Sequence, residues 1–284
     1  MTESSRYPFL VDFSRESGIP EDRLVAAFEI ERAFHDAILY ETDPARRREL
    51  VREVYERVHP LYGKGVERAE AIRDGAKEPL VRRLRPWIEG RSILDVGCGE
   101  GDFLRAVARR VPHGALVGID VSQAVLPPAG HAPENVRFIA ADIIDFDLGR
   151  RFDVVFSENV IEHIAPADLE AHLRSIRRAL ADPGRLILLA PNRLFGPSDV
   201  TRIVDCTYSN RIRAMGSHLN EMTNREAIAA LRGNGFRRFR AISRIPLAAQ
   251  IALERSPLLL QVTYRIRRGG RPILRRPIGI ICDP

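Results

Sequence analysis

Short apolar runs punctuate the middle of the chain: Ser92–Val96, Ala115–Ile119, Val136–Ala140, Asp153–Phe156 and Leu186–Ala190. They are rich in Val, Ile and Leu, and connections of helical length separate most of them. That is the pattern of a parallel sheet buried on both faces. Phe236–Ile242 and Ile278–Cys282 offer two more strands. Ahead of the runs, Leu24, Ala27, Ile30, Phe34 and Ile38 recur at helical spacing. Asp43-Pro44 then opens a stretch of strong helix formers, Ala45 to Val58. The pattern predicts an α/β protein in three zones: a helical region over 1–88, a sheet domain over 89–244 and a C-terminal extension over 245–284 that ends in a strand.

The first run leads into Leu94-Asp95-Val96-Gly97-Cys98-Gly99-Glu100-Gly101, with a helix expected from about Asp102. Glycines permit a sharp turn and close approach of a ligand to the backbone, and the helix start adds free N–H groups. A dinucleotide loop has G-x-G-x-x-G spacing, so that pyrophosphate rests on the helix end. Here the spacing is G-x-G-x-G, and Glu100 and Asp102 would repel a pyrophosphate. A cationic ligand without phosphate, such as S-adenosyl-L-methionine, tolerates both carboxylates, and nicotinamide chemistry is disfavoured. Asp120 ends the second run, placed to accept both ribose hydroxyls. Asp142 ends the third, placed to accept the adenine amino hydrogens, with Val121 and Ile143 offering apolar faces to the ring. Taken singly, Asp120 could be a helix cap and Asp142 a turn residue.

From Arg91 to Phe236 these residues resemble the class I S-adenosylmethionine-dependent methyltransferases. The resemblance rests on Leu94–Gly101, Asp120, Asp142, the fourth strand Phe152–Phe156, Val160-Ile161-Glu162-His163-Ile164, the fifth strand beginning at Gly184-Arg185, and Gly235-Phe236. Val160–Ile164 is similar to the small-molecule branch, which includes the O-methyltransferases of quinone biosynthesis. The resemblance implies a Rossmann-like, doubly wound, seven-stranded and mostly parallel sheet with an antiparallel last strand. It implies S-adenosyl-L-methionine as cofactor, held by Asp95, Gly97, Cys98, Gly99, Gly101, Asp120, Val121, Asp142 and Ile143. The backbone of Ser157-Glu158-Asn159 would approach the methionine ammonium, and the N-terminal helices would cover the active site.

Methyl transfer needs in-line alignment, and a hydroxyl acceptor gains from a general base, most often histidine. Two histidines are catalytic candidates. His163 follows the fourth strand, with a structural role beside Glu162 as its alternative reading. His218 lies where related enzymes carry a histidine near the substrate, with a polar loop role as its alternative. His59 is a third candidate, and Asn192 is expected at the acceptor's border. Tyr62 and Arg73 are weaker candidates for the cofactor carboxylate. His35, His113, His131 and His172 read as surface or packing residues. No metal is expected, because no Asp/Asn ligand spacing or cysteine-rich zinc pattern is present.

Apolar residues at 45% and charged residues at 29% exclude wholesale disorder. Three cysteines without CxxC spacing, and a polar N-terminus, fit a reducing cytoplasm. The net charge is +6, yet from Phe236 onward eleven arginines face only Glu254 and Asp283. A basic tail suggests a local anionic contact, a membrane surface or an anionic substrate, rather than nucleic acid along the whole chain. With Pro246, Pro257, Pro272 and Pro277 that tail reads as irregular, or as a lid. A sugar, a glycolipid precursor or a secondary metabolite is the expected acceptor. A protein or RNA acceptor, or a non-catalytic cofactor-binding subunit, stands as the alternative. The oligomeric state stays open.

Overall fold

The computed structural model describes residues 6–62, 75–128, 132–208, 210–265, 267–268, 271–272 and 277–284. Its sheet contains β1 (Ile93–Val96), β2 (Leu116–Asp120), β3 (Val136–Ala140), β4 (Phe152–Glu158), β5 (Leu180–Ala190), β6 (Arg237–Ala241) and β7 (Ile278–Asp283). The spatial order is β3-β2-β1-β4-β5-β7-β6, with β7 antiparallel to both of its neighbours. The expected seven strands and antiparallel last strand are both present. Helices join β1 to β2 and β4 to β5, whereas the described residues between β2 and β3 and between β3 and β4 form turns and loops.

Alternation along the strands builds two cores, because successive side chains point to opposite faces. Ile93, Val154, Phe156 and Ile187 pack against α4 (Glu78–Ile88) and α5 (Asp102–Arg110). Leu94, Val96, Val155, Leu186 and Leu188 pack against α6 (Leu169–Ala179) and α7 (Asn224–Gly233). These side chains are almost fully excluded from water, and each contributes about 1.5–3 kcal/mol. Continuous apolar strands are what a sheet covered on both faces requires.

A third layer comes from α1 (Leu10–Ser17), α2 (Glu21–Tyr40) and α3 (Pro44–Tyr62). Leu24, Ala27, Phe28 and Ile38 make the buried stripe of α2, and Glu31 and His35 lie on the same stripe. Ile30 and Phe34, expected on that stripe, are only partly buried and meet Val54 and Val58 of α3. Arg47 of α3 grips Asp168, just before α6, with Nε and Nη2 each 2.6 Å from a carboxylate oxygen. This buried fork fixes the N-terminal layer to the sheet domain.

The tail departs from the irregular chain expected of it. It forms α8 (Leu247–Arg255) and α9 (Pro257–Arg265) before a two-residue hairpin and β7. Pro246 caps α8 and Pro257 starts α9, positions where a missing N–H costs nothing. The side chains of Arg265, Arg267, Arg268, Arg271, Arg275 and Arg276, the basic cluster expected to meet an anionic partner, lie outside the described part, as do Arg73 and His131. Arg237, Arg238 and Arg240 instead join Arg151, Arg178 and Arg185 around a groove of about 830 Å³. That groove lies where β4, β5 and β6 begin, at the opposite end of the sheet from the glycine loop. No helix among the described residues is long and apolar enough to cross a membrane.

Candidate functional site

Three glycines shape the turn from β1 into α5. Gly97, Gly99 and Gly101 have φ of 72°, 51° and 77°, the left-handed region. Gly97 N and Cys98 N both donate to Ile119 O, at 2.8 and 3.0 Å, which binds the loop to the end of β2. Space is as restrictive as conformation: a Cβ on Gly97 would lie 2.3 Å from Val160 Cγ2, and one on Gly101 2.3 Å from Phe138 Cζ. Asp120 closes the turn. Its Oδ2 accepts from Gly99 N at 2.9 Å and its Oδ1 from Ser122 N at 3.0 Å. Burial pushes the Asp120 pKa up, and those N–H groups hold it back. Each oxygen keeps acceptor capacity for a further hydroxyl.

Two cavities meet at this loop. The larger, about 430 Å³, is lined by Gly97, Asp120, Val121, Asp142, Ile143, Asn159 and His163, and by Arg48, Val51, Arg52 and Tyr55 from α3. The smaller, about 160 Å³, is lined by Lys77, Asp95, Gly97, Cys98, Gly99, Glu100, Glu158 and Asn159, with Phe103 and Phe156 as its apolar wall. Gly97 and Asn159 border both. Asn159 turns there in a left-handed conformation, φ 55°, with its N–H on Leu189 O. Of the expected cofactor residues, all but Gly101 line one cavity or the other. Gly101 acts through its turn, its N–H closing onto Cys98 O at 2.9 Å.

The two ends carry different chemistry. In the smaller cavity Lys77 Nζ lies 2.6 Å from Glu158 Oε2, and burial together with Glu158 pushes the Asp95 pKa well above the ordinary carboxylate range. Carboxylates around one ammonium suit a ligand with both an amine and a carboxylate. In the larger cavity Asp142 Oδ1 accepts from Ile144 N at 2.8 Å, while Oδ2 meets Arg48 Nη1 at 2.9 Å. An acceptor for an amino group is thus backed by an arginine.

His163 and His218 come together, their rings 4.6 Å apart, edge to face, with Tyr55 5.8 Å from His163. Burial and the neighbouring His218 push the His163 pKa down to about 3. Burial also works against a charged His218, yet its bond to Glu221 and the charges of Asp199 and Glu162 raise it to about 9. The 215–223 loop carrying His218 is firmly held. Gly216 N donates to Asp199 Oδ2 at 2.9 Å, Ser217 N to Glu31 Oε2 at 2.6 Å, and Leu219 N to Glu162 O at 2.8 Å.

Other expectations fail on geometry. Asn192, expected at the acceptor's border, lines neither cavity: its amide donates to Glu254 Oε1 at 2.9 Å, and it caps Leu194, beneath α8. Tyr62 bonds to Glu31 rather than reaching the smaller cavity. His59 is near enough to hold down the Asp120 pKa but lines neither cavity. His35 and His172 pack as expected, with Nδ1 on Gly216 O at 2.7 Å and on Ile143 O at 2.6 Å. Lys77, Arg48 and Tyr55 were not anticipated. A lysine in a chain whose other basic residues, Lys64 apart, are all arginines was the available signal for Lys77.

Residues 93–184 match the family model described as a methyltransferase domain. With the sheet order and the loop, these residues resemble the S-adenosylmethionine-dependent methyltransferases, and the sheet has their Rossmann-like fold. Among curated relatives, it is 35% identical over 124 residues to a trans-aconitate 2-methyltransferase of Acidovorax sp. (strain JS42), covering 43% of this chain and 46% of that protein. It is 30% identical over 137 residues to a ubiquinone biosynthesis O-methyltransferase of Coxiella burnetii, covering 46% of this chain and 56% of that one. The chain thus spans about half the length of the curated relatives it matches. The plantazolicin methyltransferase BpumL, solved with S-adenosylhomocysteine and a desmethyl analogue, aligns over 90% of this chain and 96% of its own, with a TM-score of 0.50 and 17% identity. A chain from the complex of the Haloferax volcanii Trm112 methyltransferase activator with a methyltransferase aligns over 77% and 94%, with a TM-score of 0.51 and 17% identity. These two likenesses speak for the fold alone.

Proposed function

We propose that the protein transfers a methyl group from S-adenosyl-L-methionine to a hydroxyl oxygen of a small molecule. The joined cavities carry this reading, because their polar groups run in the order the cofactor needs. Lys77 would hold the methionine carboxylate, and Asp95, Glu158 and the Asn159 backbone its ammonium. Asp120 would hold the ribose hydroxyls. Asp142 would accept from the adenine amino group, with Val121 and Ile143 against the ring. The bound cofactor supplies an electrophilic methyl on a sulfonium. The chain's residues align the acceptor, exclude water under α3, and set the fate of the acceptor's proton. As the acceptor oxygen bonds to the methyl carbon, the carbon–sulfur pair goes to sulfur and the hydroxyl proton to solvent. His163 and His218 are the titratable side chains proposed to face that oxygen. The fork from Arg47 to Asp168 keeps the α3 cover in place during turnover.

Calorimetric titration with S-adenosylhomocysteine tests the cofactor, with NAD for comparison. Two charge-assisted bonds to ribose are together worth ~3–6 kcal/mol, so Asp120→Ala should weaken binding by about a hundredfold or more. Tighter binding of NAD, or an affinity unmoved by Asp120→Ala, would overturn the reading. The acceptor is then sought among hydroxylated small molecules, with peptide substrates as controls.

A further inference from the structure

Beside the larger cavity stand three side chains whose hydrogen bonding is incomplete in a specific way. Glu162 is 1% exposed, and neither of its carboxylate oxygens has a hydrogen-bond partner among the described residues. A buried carboxylate without partners is costly. The ligand atoms of Glu162, His163 and His218 all lie within 4.8 Å of one another. Each histidine already uses its Nδ1: His163 donates to Ser217 O at 3.1 Å, and His218 to Glu221 Oε1 at 2.7 Å. The nitrogen left on each ring is Nε2, which carries a lone pair on His163 and, on His218, would give up its proton to water when an ion binds. A ring N–H fixed on a carbonyl or a carboxylate is how metal-ligating histidines are oriented.

We propose that Glu162, His163 and His218 form a divalent-cation site at the acceptor end of the cavity. Two imidazoles and one carboxylate favour the borderline ions Mn²⁺, Fe²⁺, Co²⁺ or Zn²⁺ over Ca²⁺. Ligands at about 2.0–2.2 Å leave donor atoms roughly 3–3.5 Å apart, a closure that side-chain rotation supplies from the present spacing. Three protein ligands on one side leave open positions, and His163 lines the cavity into which they open. This deepens the proposed function and rests on it for the substrate: the acceptor would carry two neighbouring oxygens, as in a vicinal diol or a hydroxy acid, chelating the ion. A bound ion acidifies a ligated O–H, so the acceptor's proton leaves to water without a histidine base.

The test is titration of the purified full chain, stripped with chelator, with Mn²⁺ followed by the loss of its free paramagnetic signal. S-adenosylhomocysteine affinity is measured on the same samples. One Mn²⁺ per chain is expected. Glu162→Gln and His218→Ala should weaken it at least a hundredfold, and Glu221→Gln, which only releases the His218 ring, by about ten- to a hundredfold. Melting curves and retained S-adenosylhomocysteine binding establish that the variants are folded. No stoichiometric Mn²⁺, Co²⁺ or Zn²⁺ binding overturns the site, as does binding indifferent to Glu162→Gln in folded protein. The two readings fail separately: cofactor product bound without the ion removes only the metal site, and ion bound without the cofactor product removes only the methyltransferase reading.

Discussion

Two adjacent arginines on α3 make opposite predictions. Arg47 and Asp168 have side chains only 4% and 8% exposed, joined by a two-pronged fork. Arg47 also donates to Glu41 O. Arg48 and Asp142 meet at 2.9 Å, but their side chains are 34% and 33% exposed. Removing one partner of a buried pair strands the other charge, at a cost of about 3–5 kcal/mol. Removing one partner of a solvated pair costs ~0–1 kcal/mol. A domain is stable by about 5–15 kcal/mol, so Arg47→Ala should consume a large share of the total and Arg48→Ala almost none. Urea denaturation of the wild type and both variants measures the difference. Arg47→Lys keeps the charge but loses the planar fork, and should fall between. Because α3 also supplies Val51 and Tyr55 to the cavity wall, Arg47→Ala should loosen S-adenosylhomocysteine binding as the cover lifts. Equal destabilisation by the two alanines, or a loss under ~1 kcal/mol for Arg47→Ala, would refute the view that burial separates the pairs.

Three further outcomes are expected. Gly97→Ala should lose about 1–2 kcal/mol to its left-handed backbone and roughly 1–3 kcal/mol to overpacking against Val160. Adding Val160→Ala should relieve only the second loss, as thermal melts of single and double variants will read. Lys77→Met should weaken S-adenosylhomocysteine about ten- to a hundredfold, from the loss of one charged hydrogen bond, and leave adenosine, which has no carboxylate, unchanged in calorimetry. Glu31 is raised from 4.5 to about 7 by burial and by Asp199, against bonds from Tyr62 and Ser217. The folded protein therefore keeps this proton after the unfolded chain has lost it. Stability should fall by up to ~3 kcal/mol as pH rises from about 4.5 to 7, and then level off. Glu31→Gln should flatten that part of the wild-type curve in urea titrations across pH.

The sheet was legible because its strands obey a local rule. Buried on both faces, β1, β2 and the Leu186–Ala190 part of β5 read as mostly apolar runs, and their ends deliver Asp95, Asp120 and Asn192 at fixed places. β4 was read short, because Ser157 and Glu158 continue the ladder beside Leu188 and Leu189 although their side chains are polar. The residues proposed to hold the cofactor were placed for the same reason: Gly97, Gly99, Asp120 and Asp142 sit at or just past strand ends, so sequence order places them in space.

The residues that close the site come from elements whose position no local pattern encodes. Arg48 and Tyr55 are exposed-looking residues of an amphipathic helix until α3 is laid over the sheet, and the Arg47 fork that lays it there joins residues 121 positions apart. The available signal was charge where a stripe is apolar. Glu31 and His35 fall in phase with Leu24, Ala27, Phe28 and Ile38 on the buried side of α2. A buried acid at such a position must meet donors from another element. Here it meets Tyr62 and Ser217, the second of which adjoins His218. Glu162 poses the same question with the opposite outcome, since no donor among the described residues hydrogen-bonds to its oxygens. Of the two buried acids, Glu31 is thus explained by the fold and Glu162 is not. That difference assigns Glu31 to the stability of the fold and Glu162 to the proposed cation site.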